Sequence, residues 1–420
     1  MPVDNILLGL LCLVVWGSLL AIGGVHLLSL LVVGAVATGG AAFAFASGCV
    51  TRVPPAAGIA LALGVYTCIQ ALPMPLSWLA ALSPIAADTW SRALLPFGEP
   101  APAWATLSLV PRLSLVEALK WWTYACVFVL AAGVSRVRGP KAGVAIVFVS
   151  GTLAAGVTLV HGLLGSSQVF GLYEPKFVPG RWAVGPLLNT NNLSGYLNLA
   201  IFCGVGLLFG NSRHRFRYWI AFRLVVLIAT SLLAASRGGV IGLLLGSGLL
   251  VPAGLSLRRR SAVISRRTLG ALALFATLGL ALALIGGTRE TWRALYDANL
   301  AKLELAVWTK PIVEDHPWFG VGRGAFETVL PAYHDASGHM SYTHPENFIA
   351  QWVTEWGLLV ALLALAAFAW VFRSSRLQVR RSVTAMGAGV GVLALLAQNL
   401  VDLAFEVPAV VIALAVVLNA

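Results

Sequence analysis

The sequence predicts an all-α integral membrane protein of about twelve transmembrane helices, and three observations carry that reading. Apolar residues make up 59% of the 420 residues and charged residues only 10%, with a mean hydropathy of +0.87, far outside ordinary globular composition. The apolar residues fall in continuous runs of about 20, the length that crosses a bilayer as a helix; a membrane β-barrel would instead show short alternating segments. The connectors between runs also segregate by charge, as a multi-pass topology requires.

The runs lie near 5–22, 26–47, 55–72, 117–135, 142–164, 191–210, 218–235, 237–256, 268–286, 346–372, 382–401 and 404–419. The first has Asp4 and no basic region before it, and no convincing cleavage site, so it reads as a retained helix rather than a signal peptide. Longer polar stretches interrupt the runs at 73–116, 165–190 and 287–345. Within the first, "PLSWLAALSP" reads as an amphipathic piece of a re-entrant or interfacial segment. The chain therefore divides into N-terminal membrane helices (1–164), central membrane helices (165–286), a large helical loop (287–345) and C-terminal membrane helices (346–420).

The short connectors "SRVRGPK", "NSRHRFR", "LRRRSAVISRR" and "RSSRLQVRR" are dense in arginine and contain no acid. Alternation of twelve spans puts all four on one side, with Arg52 and both termini, and the positive-inside rule makes that side cytoplasmic. Of the 16 acidic residues only Asp4 falls there. The net charge of +12 is thus topological, which removes the nucleic-acid reading. Every loop long enough to build a site faces away from the cytoplasm, on a side where ATP and nucleotide-sugars are absent. Chemistry there needs a donor that is already activated and has already crossed the membrane. The five cysteines are scattered in apolar surroundings without metal or disulfide spacing and read as small hydrophobes. DxD, HExxH, GxSxG and Walker motifs are all missing, so no metal and no cofactor are expected.

Spans six, eight, ten and twelve enter the membrane from outside, so their N-termini present partial positive charge and N–H groups to the outer face. Before span six, "RWAVGPLLNTNNLSGYL" sets Arg181 beside Asn189, Asn191 and Asn192. One asparagine serves as a cap, and the arginine offers a bidentate fork for phosphate. At span eight, "SRGGVIGLLLGSG" places Arg237 at the helix start, where a cation is disfavoured unless an anion joins it. Gly238, Gly242 and Gly246 follow at four-residue spacing, a pattern for close helix packing.

In the long loop, Lys302 and Lys310 lie on an amphipathic helix, and "GVGRG" reads as a Gly-rich turn holding Arg323 rather than a dinucleotide fingerprint. Then comes "SYTHPENFIAQWVTEWGLL". Thr343 and Glu346 fit a capping box. His344, Asn347, Gln351 and Glu355 are spaced three, four and four apart, one polar stripe that must face the bundle or a wet cavity. His344 is the candidate base, since histidine accepts a proton near neutral pH. Arg323 and Asn347 are further candidates for binding substrate, Glu355 for supporting the site, and Asp402 and Glu406 before the last helix for holding the arginines.

"NTNNLSGYL", "SRGG", "KLELAVWTKPIVEDHPWFGVGRGAF" and "HPENFIAQWVTEWGLL" together resemble, in order from about 181 to 359, the signature segments of the O-antigen ligase and polymerase superfamily. The resemblance implies a bacterial inner-membrane enzyme that moves a glycan from undecaprenyl pyrophosphate to the lipid A–core, at a periplasmic site, without a metal and with inversion. It matches Arg237 and His344 to the family's arginine and histidine, and puts Lys302 where the family often has arginine; lysine keeps the charge and loses the planar fork. Pyrophosphate binding then falls to Arg181, Arg237 and Lys302, with Asn189 and Asn192 beside them. The competing readings are an O-antigen polymerase, a protein O-oligosaccharyltransferase and, from another class, an anionic-lipid transporter; a transporter would carry midplane charges and half-helix repeats.

Overall fold

The computed structural model describes residues 2–175, 182–210, 214–258, 301–334, 341–379 and 382–419. In chain order its helices are α1 (Val3–Leu20), α2 (Leu27–Ala46), α3 (Pro55–Ala71), α4 (Leu76–Leu82), α5 (Pro84–Ala93), α6 (Pro111–Arg138), α7 (Lys141–Leu164), α8 (Thr190–Gly210), α9 (His214–Leu233) and α10 (Arg237–Arg258). After these come α11 (Ala301–Trp308), α12 (Lys310–Asp315), α13 (Phe326–Val329), α14 (Phe348–Trp356), α15 (Leu358–Val379), α16 (Val383–Gln398) and α17 (Pro408–Leu418). The protein is mostly helical, and its sheet among the described residues is one antiparallel pair, Met74–Pro75 with Trp104–Ala105.

Helices cover eleven of the twelve apolar runs; the run at 268–286 lies outside the described residues. Six have the length and composition to cross a membrane, namely α1, α2, α6, α7, α8 and Phe216–Leu233 within α9. Shorter apolar helices occupy Pro55–Ala71, Arg237–Leu250, Leu358–Val371, Val383–Gln398 and Pro408–Leu418. The run at 346–372 is not one helix. It breaks at Gly357, whose backbone (φ 83, ψ 164) leaves the helical region and closes α14 after Trp356. A side chain there would strike the main chain of Trp318, so both the backbone angle and the space call for glycine.

The described residues fall into two compact units. The first draws on Met1–Pro54, Cys126–Ala298 and Ser374–Ala420. At its centre α8 packs against α7, α9, α10 and α16 and is buried along most of its length. Small residues allow this, as the stripe of glycines on α10 predicts. A Cβ on Gly242 would lie 3.3 Å from the Ala394 carbonyl, and one on Gly246 would enter the Phe202 ring.

This unit has two chemically different ends. At one end Arg138 pairs with Asp4 at 2.8 Å, Lys141 Nζ donates to the Gly210 carbonyl at 3.1 Å, and Gly143 packs against Val416 near the C-terminus. The N-terminus, the 138–141 connector, the end of α8 and the end of α17 are therefore gathered together. The opposite end holds the starts of α8 and α10 and the end of α16, with its asparagines, Gln398 and Asp402.

The second unit draws on Pro55–Ala125 and Asn299–Arg373. In the 73–116 stretch, α4 and α5 pack over the short ladder around Leu79, Ala86, Ala87, Ala105 and Leu107. Trp78, Phe97 and Trp104 stay exposed. The long loop builds its own core from Ile312, Val321, Ala325, Phe326, Val329 and Leu330, and this core holds α14 in place.

Candidate functional site

In the second unit the polar stripe is a connected network. The capping box is not formed. Helix α14 starts at Phe348 with Asn347 as its cap, whose Oδ1 accepts from the N–H groups of Ile349 and Ala350 at 2.9 and 3.0 Å. Asparagine in extended backbone is the stronger cap here, and Glu346 is drawn away. Glu346 stands at φ 54, a region that L-residues seldom adopt, and its carboxylate pairs with Lys302 Nζ at 2.8 Å. Lys302 and His344 thus flank one short segment, with His344 half-buried two residues before Glu346.

Behind His344, the Gln351 amide nitrogen lies 2.9 Å from His344 Nδ1 and 3.2 Å from Glu355 Oε2. Glu355 is fully buried. Its Oε2 meets the Arg323 guanidinium and its Oε1 accepts from the Phe326 N–H at 3.2 Å. Arg323, also buried, reaches Glu117 Oε2 at 3.3 Å and lies 5.4 Å from the centre of the Trp356 ring. Glu117 in turn pairs with Lys120. The chain runs Lys120, Glu117, Arg323, Glu355, Gln351, His344. Two cations balance two carboxylates along it.

The "GVGRG" turn closes the open end of α14, whose last carbonyls have no helical partner. The Val321 N–H donates to the Thr354 carbonyl at 3.0 Å and the Gly322 N–H to the Glu355 carbonyl at 3.1 Å. Gln70 Nε2 donates to the Phe319 and Glu355 carbonyls, and Tyr66 to Trp356. The turn therefore does two jobs, terminating α14 and delivering Arg323 to Glu355. On another face of α14 the buried Trp352 and Trp356 pack against Trp121, and Trp352 also meets Phe368.

In the first unit, Arg237 is the first residue of α10 and half-buried. Ser236 caps that helix, accepting from the Gly239 N–H at 3.0 Å. Asn189 Oδ1 accepts from the Asn191 N–H at 2.8 Å, so Asn189 is the cap of α8. Gln398 Nε2 bridges the Asn191 carbonyl at 2.9 Å and Asp402 Oδ2 at 3.0 Å, while Asp402 Oδ1 accepts from its neighbour Leu403. Deeper, Ser194 meets Ser231, Ser231 donates to Asn198 Oδ1, and Asn198 Nδ2 donates to the Gly239 carbonyl at 2.7 Å. Asn192 is buried, and its side-chain oxygen has no hydrogen-bond partner among the described residues. Arg181 lies outside the described residues.

The structure thus brings together Lys302, Arg323, His344, Asn347 and Glu355 in one unit, and Asn189, Asn192, Arg237 and Asp402 in the other. Sequence reasoning missed Glu117, Gln70, Asn198 and Gln398. All four lie within or at the ends of apolar runs, where in a membrane chain a polar side chain is itself a signal.

Residues 222–365 match the family model described as O-antigen ligase. No curated protein matches the chain. The matched range takes in Arg237, Lys302, Arg323, His344, Asn347 and Glu355. With several apolar helices of membrane length, the match supports a multi-pass membrane protein with O-antigen ligase- or polymerase-type transfer of a lipid-linked glycan in lipopolysaccharide biosynthesis.

Proposed function

We propose that the chain, whose residues 222–365 match the family model described as O-antigen ligase, is an O-antigen ligase of the bacterial inner membrane. In this reading it transfers a glycan from undecaprenyl pyrophosphate to a sugar hydroxyl of the lipid A–core at the periplasmic face. The observation that carries the proposal is the placement of both chemically demanding residues, Arg237 and His344, inside the matched range. Arg237 stands at the start of α10, and His344 lies in the non-helical segment that leads into α14.

The reaction breaks the bond between the anomeric carbon and a pyrophosphate oxygen, and the bonding pair leaves with pyrophosphate. The acceptor hydroxyl attacks the opposite face and loses its proton to water as the new bond forms, with inversion and without a metal. Charge builds on the leaving oxygen, so the transition state is stabilised by fixed cations and N–H groups more than the ground state is. Arg237 at the head of α10 is assigned to that charge, with Arg181 and Lys302. Lys302 is held against Glu346 in the structure, and pyrophosphate would compete with that carboxylate for it. Asn189, Asn192, Arg323 and Asn347 would border the glycan or pyrophosphate, with Glu355 and Asp402 supporting them. His344 is the catalytic residue that touches the reacting groups.

The test supplies purified protein in lipid with an undecaprenyl-pyrophosphate glycan and either lipid A–core or a second lipid-linked glycan. Product on lipid A–core is expected, and it should persist in the presence of a chelator. Product on the second glycan alone would identify a polymerase instead. Arg237→Ala and His344→Ala should each lower transfer by about 10²–10³-fold, the cost of removing one transition-state donor. Each should still accumulate and insert as wild type does. Unchanged turnover in either variant removes that residue from the mechanism.

A further inference from the structure

We infer that Gln351 is a positioning residue that holds the proton of neutral His344 on Nε2, so that His344 meets the substrate as a hydrogen-bond donor rather than as a base. This deepens the reading above and rests on it for the identity of the substrate. It does not rest on it for the state of the histidine.

The argument turns on one amide atom. The same end of the Gln351 carboxamide faces both His344 Nδ1, at 2.9 Å, and Glu355 Oε2, at 3.2 Å. Whichever atom stands there must satisfy both neighbours. Glu355 decides which atom it is, because Oε2 already faces the Arg323 guanidinium and Oε1 already accepts a main-chain N–H. That is the setting of a carboxylate, which only accepts. An amide oxygen turned toward it would put lone pairs against lone pairs in a site closed to water. The atom is therefore nitrogen, and it has two hydrogens, one for each neighbour. His344 Nδ1 must accept the second. A neutral imidazole that accepts at one nitrogen bears its proton on the other.

A base working through Nε2 would need the proton on Nδ1, where it would face the Gln351 N–H donor to donor. The lock is rigid, since Gln351, Glu355 and Arg323 are 2%, 0% and 3% exposed. Lys302 is the nearby cation, paired with Glu346 two residues along from His344. An N–H donor and an ammonium beside one short segment suit an anionic oxygen, here one of the pyrophosphate. His344 Nε2–H would donate to that oxygen as the bond to the anomeric carbon breaks and the electron pair leaves with pyrophosphate. The acceptor hydroxyl, acidified as its oxygen bonds the carbon, would release its proton to water.

The protein labelled with ¹⁵N-histidine and embedded in lipid nanodiscs reads the tautomer directly, with His344 assigned by its loss in His344→Gln. A signal from protonated Nε2 and hydrogen-bonded, unprotonated Nδ1 is expected; a dominant Nδ1–H form overturns the inference. Gln351→Met keeps length and removes the donor, and should shift His344 toward a mixture of tautomers. If this variant leaves the spectrum unchanged, Gln351 is not the lock.

Transfer assays then test the donor role. His344→Gln keeps an N–H near the place of Nε2 but cannot act as a base. It should stay within roughly tenfold of wild type, against about 10²–10³-fold loss in His344→Ala. Equal loss in both overturns the donor assignment. Because the spectrum needs no turnover, the expected tautomer in a protein that transfers no glycan would sink the proposed function alone.

Discussion

Arg323 stands between two carboxylates, Glu117 and Glu355, in a part of the protein where all three are nearly or wholly shielded from solvent. Such a group contributes little net stability as a pair, since desolvation offsets attraction, but removing one partner strands the others. Arg323→Met should therefore destabilise the protein by about 3–5 kcal/mol, the usual cost of a buried charge left alone. Glu117 would still have Lys120, whereas Glu355 would keep only neutral donors. The double variant Arg323→Met with Glu355→Gln should consequently lose less than the single one. Thermal midpoints in detergent measure both, and a double variant no better than Arg323→Met would show that the ionic chain is not what the arginine serves. The same residues explain what a reader of the sequence can and cannot find. Spacing alone puts Gln351 and Glu355 on one face with His344 in front of them. The partner of Glu355 cannot be read this way, because Arg323 arrives from a separate turn and Glu117 from a helix more than 200 residues earlier.

At the scale of elements, α14 shows why the long loop is more than a connector. The helix is only nine residues long and could not hold its shape alone. Asn347 fixes its start, and the main chain of the 318–322 turn fixes its end. The sequence presents it as the first part of a single span because no hydrophobic signal marks Gly357. The break is a matter of backbone angle and of contact with Trp318, neither visible in composition. The capping box failed for a related reason, since Thr343 and Glu346 have the right spacing but Lys302 competes for the glutamate. The loop core that steadies α14 also carries a titratable element. His316 is buried beside Tyr333, whose hydroxyl lies 3.4 Å from its Nε2 and donates to Asp315 at 2.8 Å. Burial lowers the His316 pKa from its ordinary value, against a smaller opposing effect of Asp315. The folded form thus binds a proton less readily than the unfolded form. Its contribution to stability is complete above the unfolded value, about 6.5, and is lost as pH falls toward the folded one. Protease cleavage of the loop should accordingly quicken between about pH 7 and 5, and His316→Gln should flatten that dependence. An equal acid response in the variant would assign it to other groups.

For the whole molecule, the charge pattern and the packing of the first unit meet on one point. The reading from connectors places both termini and the arginine-rich turns on the cytoplasmic side. In the structure Asp4, the one acid on that side, pairs with Arg138. Lys141 holds the end of α8, and the end of α17 packs beside Gly143. The N-terminus, the 138–141 connector, the end of α8 and the end of α17 thus lie at one end of the first unit. The asparagines, Ser236, Arg237, Gln398 and Asp402 collect at the other. The proposed topology has twelve crossings, an even count that puts both termini on one side. Which end faces the cytoplasm follows only from the positive-inside rule, and reporter fusions decide it. A fluorescent protein fused at the C-terminus, or inserted at Gly139, should fold and fluoresce. Alkaline phosphatase inserted at Gly98 or within 335–340 should be active, because it matures outside the cytoplasm where disulfides form. Active phosphatase at Gly139 together with fluorescence at Gly98 would invert the molecule. It would also put His344 on the side where lipid A–core and the undecaprenyl-pyrophosphate glycan of the proposed reaction do not meet. Phosphatase activity at both Gly98 and Gly139 would instead break the pairing of α6 with an outer loop and reduce the count of crossings.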